Sequence, residues 1–158
     1  RDFAVLHIGQ ISYDGIQHAE HIMREGGAFR LVQRLAEPQP APKSKAWACS
    51  ALARLARFDP LFQEEARRVG ALEALLTCLD VNDEHTQLGA IECIVKVVEN
   101  NSRNIRAMLA LEADAKLIQV SSEVTFNASG KVRNAAAQAM TMLGAGAPDP
   151  SATPRPWA

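Results

Sequence analysis

The chain has 158 residues, 47% of them apolar and 5% aromatic, and its 17 basic side chains stand against 18 acidic ones. That is enough apolar material for a continuous core, while the balanced charge excludes a general polyanion binder, which shows a basic excess. No stretch reaches the roughly 18 apolar residues that a membrane-spanning helix needs, and the three cysteines, Cys49, Cys78 and Cys93, lack metal-type spacing and sit on apolar helical faces, as buried reduced thiols of the cytosol or nucleus do.

The opening, "RDFAVLHIGQIS", lacks an initiator Met and a signal-peptide core and starts inside a helical pattern, so an excised or processed piece of a longer chain is expected. "HAEHIMRE" then puts His18, His21 and Glu25 on one helical face at i, i+3 and i+7. Two histidines and a carboxylate hold Zn²⁺ only with a fourth ligand, and the HExxH order is missing, so the stretch reads as a solvated face. "REGGAFRLVQRLAE" is the next helical segment, followed by "EPQPAPKSK", Glu37 to Lys45, where Pro38, Pro40 and Pro42 forbid helix. "AWACSALARLA" resumes the helical period.

Asp59–Pro60 reads as an N-cap followed by Pro at the first helical position, opening a short helix from Pro60 to Val69. Gly70 interrupts, and a second helix runs from Ala71 to Leu79. A longer third helix is predicted from about His85 to Glu99, with Ala90, Ile91, Ile94, Val95 and Val98 recurring at helical spacing. Ser102 is a candidate cap for a helix continuing to Leu111. "LALEADAKLIQVSS" follows, then a second long connection, Ser121 to Arg133, whose Asn127-Ala128-Ser129 is a formal glycosylation sequon that indicates only an exposed loop. "NAAAQAMTMLG" is the last helical stretch, and the Pro-, Gly- and Ala-rich residues 146–158 read as a linker or tail, including a "PRPW" that is formally a proline-type ligand.

These segments repeat. In "REGGAFRLVQRLAE", "RRVGALEALLTCLD" and "LALEADAKLIQVSS", Gly27, Gly70 and Glu112 fall into register 43 and 42 residues apart, inside the range of helical solenoids. A second block agrees: Leu52 aligns with Ile94 and Met140, Leu55 with Val97 and Leu143, and Ile8 and Ile11 match near the start. Each unit is therefore two short helices, a corner and a longer third helix. Glycine suits the corner because a sharp turn there meets no Cβ. Glu112 departs from that pattern.

The "GALxxLLxLL…AxxALxxLA" pattern resembles the armadillo-repeat family over nearly all of Arg1 to Gly144, as one partial and two complete units and a fourth-unit end. The resemblance implies an all-α, right-handed solenoid of about three to four three-helix repeats over residues 1–145. It further implies a non-enzymatic protein–protein scaffold or adaptor, whose third helices line a concave groove for an extended partner, with no cofactor, metal, nucleic acid or membrane span and a cytoplasmic setting. HEAT repeats, the nearest alternative, have two helices per unit and usually lack this corner.

In importin-type members an Asn and, four residues earlier, a Trp form ladders along the groove. The Asn positions here are Gln10, Arg54, Lys96 and Met142, and the Trp positions are Leu6, Ser50, Glu92 and Gln138, so neither ladder is present and import of basic cargo is disfavoured. Trp47 lies three residues before the ladder position and is expected between repeats. Arg54 and Lys96 share one groove position, similar to the Lys-bearing third helices of β-catenin, which grip acidic extended ligands. Gln10, Ser50, Arg54, Glu92 and Lys96 are thus the candidate groove residues, Arg54 and Lys96 being expected close together and largely open to solvent. A structural module of a large cytoskeletal or ciliary assembly, with neighbouring subunits as partners, is the second reading.

Overall fold

The computed structural model describes residues 21–37, 42–58, 60–122 and 129–145. After a helical turn at residues 21–24 come α1 (Gly27–Ala36), α2 (Pro42–Phe58), α3 (Pro60–Arg68), α4 (Ala71–Cys78), α5 (Glu84–Val98), α6 (Ser102–Ala110), α7 (Ala113–Ser121) and α8 (Gly130–Ala145). No strand occurs among the described residues. The first unit has its second and third helices in α1 and α2, the second unit is α3–α5, and the third is α6–α8. Third helices stack side by side, α5 lying between α2 and α8, and α1 lies beside α4. The chain therefore forms an all-α helical solenoid.

The corners have one geometry. Gly26, Gly70 and Glu112 are left-handed, with φ of 71°, 76° and 57°. Each donates its N–H to the carbonyl three residues back, Met23, Arg67 or Leu109, and accepts from the amide four residues on, Arg30, Ala74 or Lys116. A single residue thus closes one helix and opens the next. The expected corner at Gly27 shifts by one: Gly26 turns, and Gly27 is the first residue of α1, equivalent to Ala71 and Ala113. Gly27 is needed for closeness instead, since a Cβ there would collide with Ile22 Cγ2 and lie 2.8 Å from Ile22 O. Glu112 bends as the glycines do, although a non-glycine residue pays about 1–2 kcal/mol for that backbone.

Three further expectations change at helix starts. Pro42 opens α2, so Lys43 and Lys45 are helical rather than looped, because Pro is well tolerated in a first turn. α8 likewise begins at Gly130, inside the stretch expected to be loop. The cap of α6 is Asn101, whose side-chain oxygen accepts from Asn104 N at 3.0 Å, and Ser102 is already helical. Asp83 and Ser129 cap α5 and α8 in the same way, through Thr86 N and Val132 N. The Thr86 hydroxyl and amide hold the Asp83 carboxyl below its ordinary range.

Leu31, Leu75 and Leu117 repeat as buried second-helix residues, and Leu52, Leu55, Ile91, Ile94 and Val97 as buried third-helix residues. Gly89 lets α5 approach α2: a Cβ there would stand 3.1 Å from Cys49 Cβ and 3.4 Å from Ala46 O. Polar side chains lock the unit junctions. Gln63 Nε2 donates to the carbonyls of Lys96 and Glu99 at 2.9 and 3.1 Å, and buried Asn104 donates to those of Gln63 and Val97 at 2.8 and 3.0 Å. The last carbonyls of α5, which no helix can satisfy internally, are thereby paired. Lys116 bridges α7 to Asp80 at 2.5 Å. All three cysteines are buried and reduced. A hydrogen bond to Cys78 and burial both push the Cys49 thiol up, and burial, with Glu92 and Cys78 nearby, pushes the Cys93 thiol well above its ordinary range.

The outward side of the third unit is built differently. Where the second unit places Leu72, Leu76, Leu79, Ile91, Ile94, Val95 and Val98 under its neighbour, the third has Asp114, Ile118, Ser121, Ala137, Met140, Thr141 and Gly144. Leu76 is 4% exposed and Ile118 is 56% exposed. Asp114, Ser121, Ala137, Thr141 and Gly144 are polar or small where their second-unit counterparts are larger and apolar, while Ile118 and Met140 remain apolar.

Candidate functional site

The central third helix, α5, is buried on three sides, whereas α2 also exposes Trp47 and α8 also exposes Ala137, Thr141 and Gly144. On α5 only Glu84, His85, Leu88, Glu92 and Lys96 reach solvent, followed by Glu99 at its end. On α2 the corresponding positions are Lys43, Ala46, Ser50, Arg54 and Arg57, and on α8 they are Lys131, Asn134, Gln138 and Met142. From His85 to Glu99 and from Lys43 to Arg57 the steps are three, four, four and three residues, the spacing that keeps side chains on one helical stripe. Adjacent stripes are continuous, because α2 meets α5 at Ala46, Cys49 and Gly89, and Ser129 Oγ beside α8 donates to Glu84 Oε1 at 2.9 Å.

Ser50 and Arg54 fall on the solvent-reaching stripe of α2, and Glu92 and Lys96 on that of α5. Gln10 lies outside the described residues. Arg54 and Lys96 are half-buried rather than open: Lys96 retains 29% of its side-chain surface and pairs with Glu99 at 2.9 Å. Glu99, one turn on, satisfies the ammonium that was expected to face a partner; the i, i+3 spacing in "KVVEN" permits this pair and the side-chain rotamers select it. Trp47, expected between repeats, is 38% exposed.

Elsewhere, a groove of about 540 Å³ between α1 and α4 is walled by Val32, Leu35, Val69 and Ala74, with exposed Phe29 at its rim. His21 and Glu25 are exposed, and His18 lies outside the described residues, as do Asn127 and residues 146–158. Among the described residues no three His, Cys, Asp or Glu side chains converge as a metal would require, and no helix is long and apolar enough to cross a membrane.

The likeness to solved structures follows this geometry. An engineered protein, structural genomics target OR366, superposes with a TM-score of 0.80 at 22% identity, covering 89% of this chain and 56% of that one. The fold is an armadillo-type solenoid. Computationally designed armadillo repeat proteins for modular peptide recognition match at a TM-score of 0.77 and 21% identity, over 87% of this chain and 56% of theirs. A designed armadillo repeat protein in complex with the peptide (KR)4 matches at 0.76 and 20%, over 87% and 55%. The chain thus spans a little over half the length of these armadillo proteins. No family model and no curated protein matches the sequence.

The residues missed by sequence reasoning are Lys43, His85 and Lys131, all exposed at the first turns of the third helices. Carrying the repeat register to every turn, rather than to the two ladder positions alone, would have found Lys43 and His85, which lie 42 residues apart.

Proposed function

We propose that this armadillo solenoid is a non-enzymatic protein-binding scaffold whose third-helix face takes an extended, partly acidic segment of a partner protein. The observation carrying the proposal is the solvent-reaching stripe in one register on α2, α5 and α8, set side by side and flanked on the central helix α5 by buried residues. A stable core has no need of such continuity among its few solvent-facing positions. The designed armadillo protein with the (KR)4 peptide supports an extended ligand on this architecture. The sign is reversed here, because the shared ladder position carries Arg54 and Lys96. Packed helices stand roughly 8–10 Å apart and an extended chain advances about 3.3 Å per residue, so every third partner residue meets the next helix. Lys96 would exchange its Glu99 carboxylate for one from the partner. Residues 1–145 would form the array and 146–158 a tail.

The test is a titration of the chain with an Asp-rich extended peptide, beside the Arg54→Glu, Lys96→Glu double variant. Binding should weaken as salt rises, since exposed charges are screened over about 8 Å at physiological ionic strength. The double variant should stay folded, with a midpoint lowered by loss of the Lys96–Glu99 pair, and lose binding. A folded double variant that binds as well as the wild type would move the seat away from this pair.

A further inference from the structure

Resting on the reading that the third-helix face holds an acidic segment, we propose that Lys43, His85 and Lys131 form a second basic row along one edge of that face. The row takes carboxylates spaced at every third residue of the bound segment. All three side chains are exposed, and they occupy one register on three adjacent helices. The contacts of Gly89 with Ala46 and Cys49, and of Glu84 with Ser129, hold the three helix starts next to one another.

A shared register, with no competing ion pair, marks this row. Lys96, Lys116, Arg67 and Arg68 each have a carboxylate partner. Among the described residues no carboxylate lies within ion-pair distance of Lys43 or Lys131; Arg30 and Arg106 are likewise without one, so the common position on adjacent third helices is what sets the row apart. The acids nearest the row are already engaged: Asp83 accepts from Thr86 N and Oγ1 at 2.8 and 2.6 Å, and Glu84 accepts from Ser129. His85 lies close enough to Asp83 to act on its charge. The first turns of α2 and α8 contain no acidic residue. A lysine at a helix N-terminus opposes the macrodipole and the unpaired N–H groups there, at about 0.3–1 kcal/mol. Two lysines placed against this rule in the same register, on helices otherwise well suited to their fold, favour binding over stability.

The row also completes what the ladder position lacks. Position 54 is Arg and 96 is Lys, but the third helix offers Met142, whereas the edge row has a basic residue on all three helices. The two rows stand 11 residues apart along each helix, from Lys43 to Arg54 and from His85 to Lys96, or about 16 Å at 1.5 Å per residue. They therefore act as separate contacts. A polypeptide fits better than a nucleic acid strand, because the row offers ammonium and imidazole groups without a matched set of arginine forks, and the net charge of the chain is −1.

The experiment uses the intact chain and fluorescein-labelled peptides of about twelve residues, one with Asp at every third position and one with the same Asp residues consecutive. Lys43→Glu with Lys131→Glu should weaken the spaced peptide about tenfold while keeping or raising the thermal midpoint, since carboxylates suit these helix N-termini, and the spaced peptide should bind wild type more tightly than the clustered one. Loss in the edge variant with no loss in Arg54→Glu, Lys96→Glu supports the row and sinks the ladder seat. Loss only in the ladder variant overturns the row and keeps the groove. Equal binding of spaced and clustered peptides overturns the spacing rule. Stronger binding of a single-stranded oligonucleotide through Lys43 and Lys131 overturns the polypeptide assignment, and no wild-type binding of either peptide overturns both readings.

Discussion

Gly26 and Gly27 are neighbours required for different reasons, and substitution separates them. Gly26 needs its positive φ but has open space around its Cβ direction, whereas Gly27 has ordinary helical backbone and no room. Gly27→Ala should cost about 1–3 kcal/mol, because the Ile22 methyl can turn away but the Ile22 carbonyl cannot. Gly26→Ala should cost about 1–2 kcal/mol through backbone strain alone. Glu112→Gly works in the opposite direction. It removes that strain at an exposed corner with no side-chain cap, and should raise stability by about 1 kcal/mol, net of the entropy glycine adds to the unfolded chain. Urea melts of the three variants read these values directly. A Glu112→Gly protein less stable than wild type would mean that the carboxylate has a role the backbone does not reveal.

Between elements, Asn104 joins three helices. Its amide reaches Gln63 O on α3 and Val97 O at the end of α5, while its own N–H is capped by Asn101. Asn104 is fully buried, with its Oδ1 unpaired among the described residues. Asn104→Ala should destabilise the chain by about 2 kcal/mol, since it leaves the buried Val97 carbonyl without a donor and removes the link to α3. Asn104→Leu should be no better, because the Val97 carbonyl remains. Hydrogen exchange should show the loss concentrated at the α5–α6 junction. Protection lost uniformly along the chain would contradict a local staple.

At the scale of the molecule, stability comes from unit stacking, and Gly89 sits where α5 packs tightly against α2. Gly89→Val would drive two methyls toward Cys49 and Ala46 and separate the first unit from the second. We expect a loss of about 1–3 kcal/mol together with a broader denaturation transition, because repeat arrays lose cooperativity when a neighbour interface weakens. A sharp transition at the wild-type midpoint would show that the α2–α5 contact can relax. The Arg54→Glu, Lys96→Glu and Lys43→Glu, Lys131→Glu variants belong at this scale too, since each tests a surface that no single unit contains.

The sequence by itself determined the repeat, the three-helix unit and the boundaries of α3, α4 and α5 to within a residue or two. These rest on local physics: apolar residues at helical spacing, Pro at a helix start and a left-handed corner at Gly70. The one-residue shift from Gly27 to Gly26 was not legible, because two adjacent glycines both satisfy the pattern and only the approach of Ile22 assigns their roles. Nor was the state of Lys96. Its place on the solvent stripe followed from the period, but its pairing with Glu99 is a matter of rotamers at the end of α5, beside a carbonyl cluster held by Gln63. The edge row of Lys43, His85 and Lys131 depended most on tertiary structure. A fixed period misplaces Lys131 across the longer connection into α8, and only stacking of the third helices brings the three first turns onto one edge.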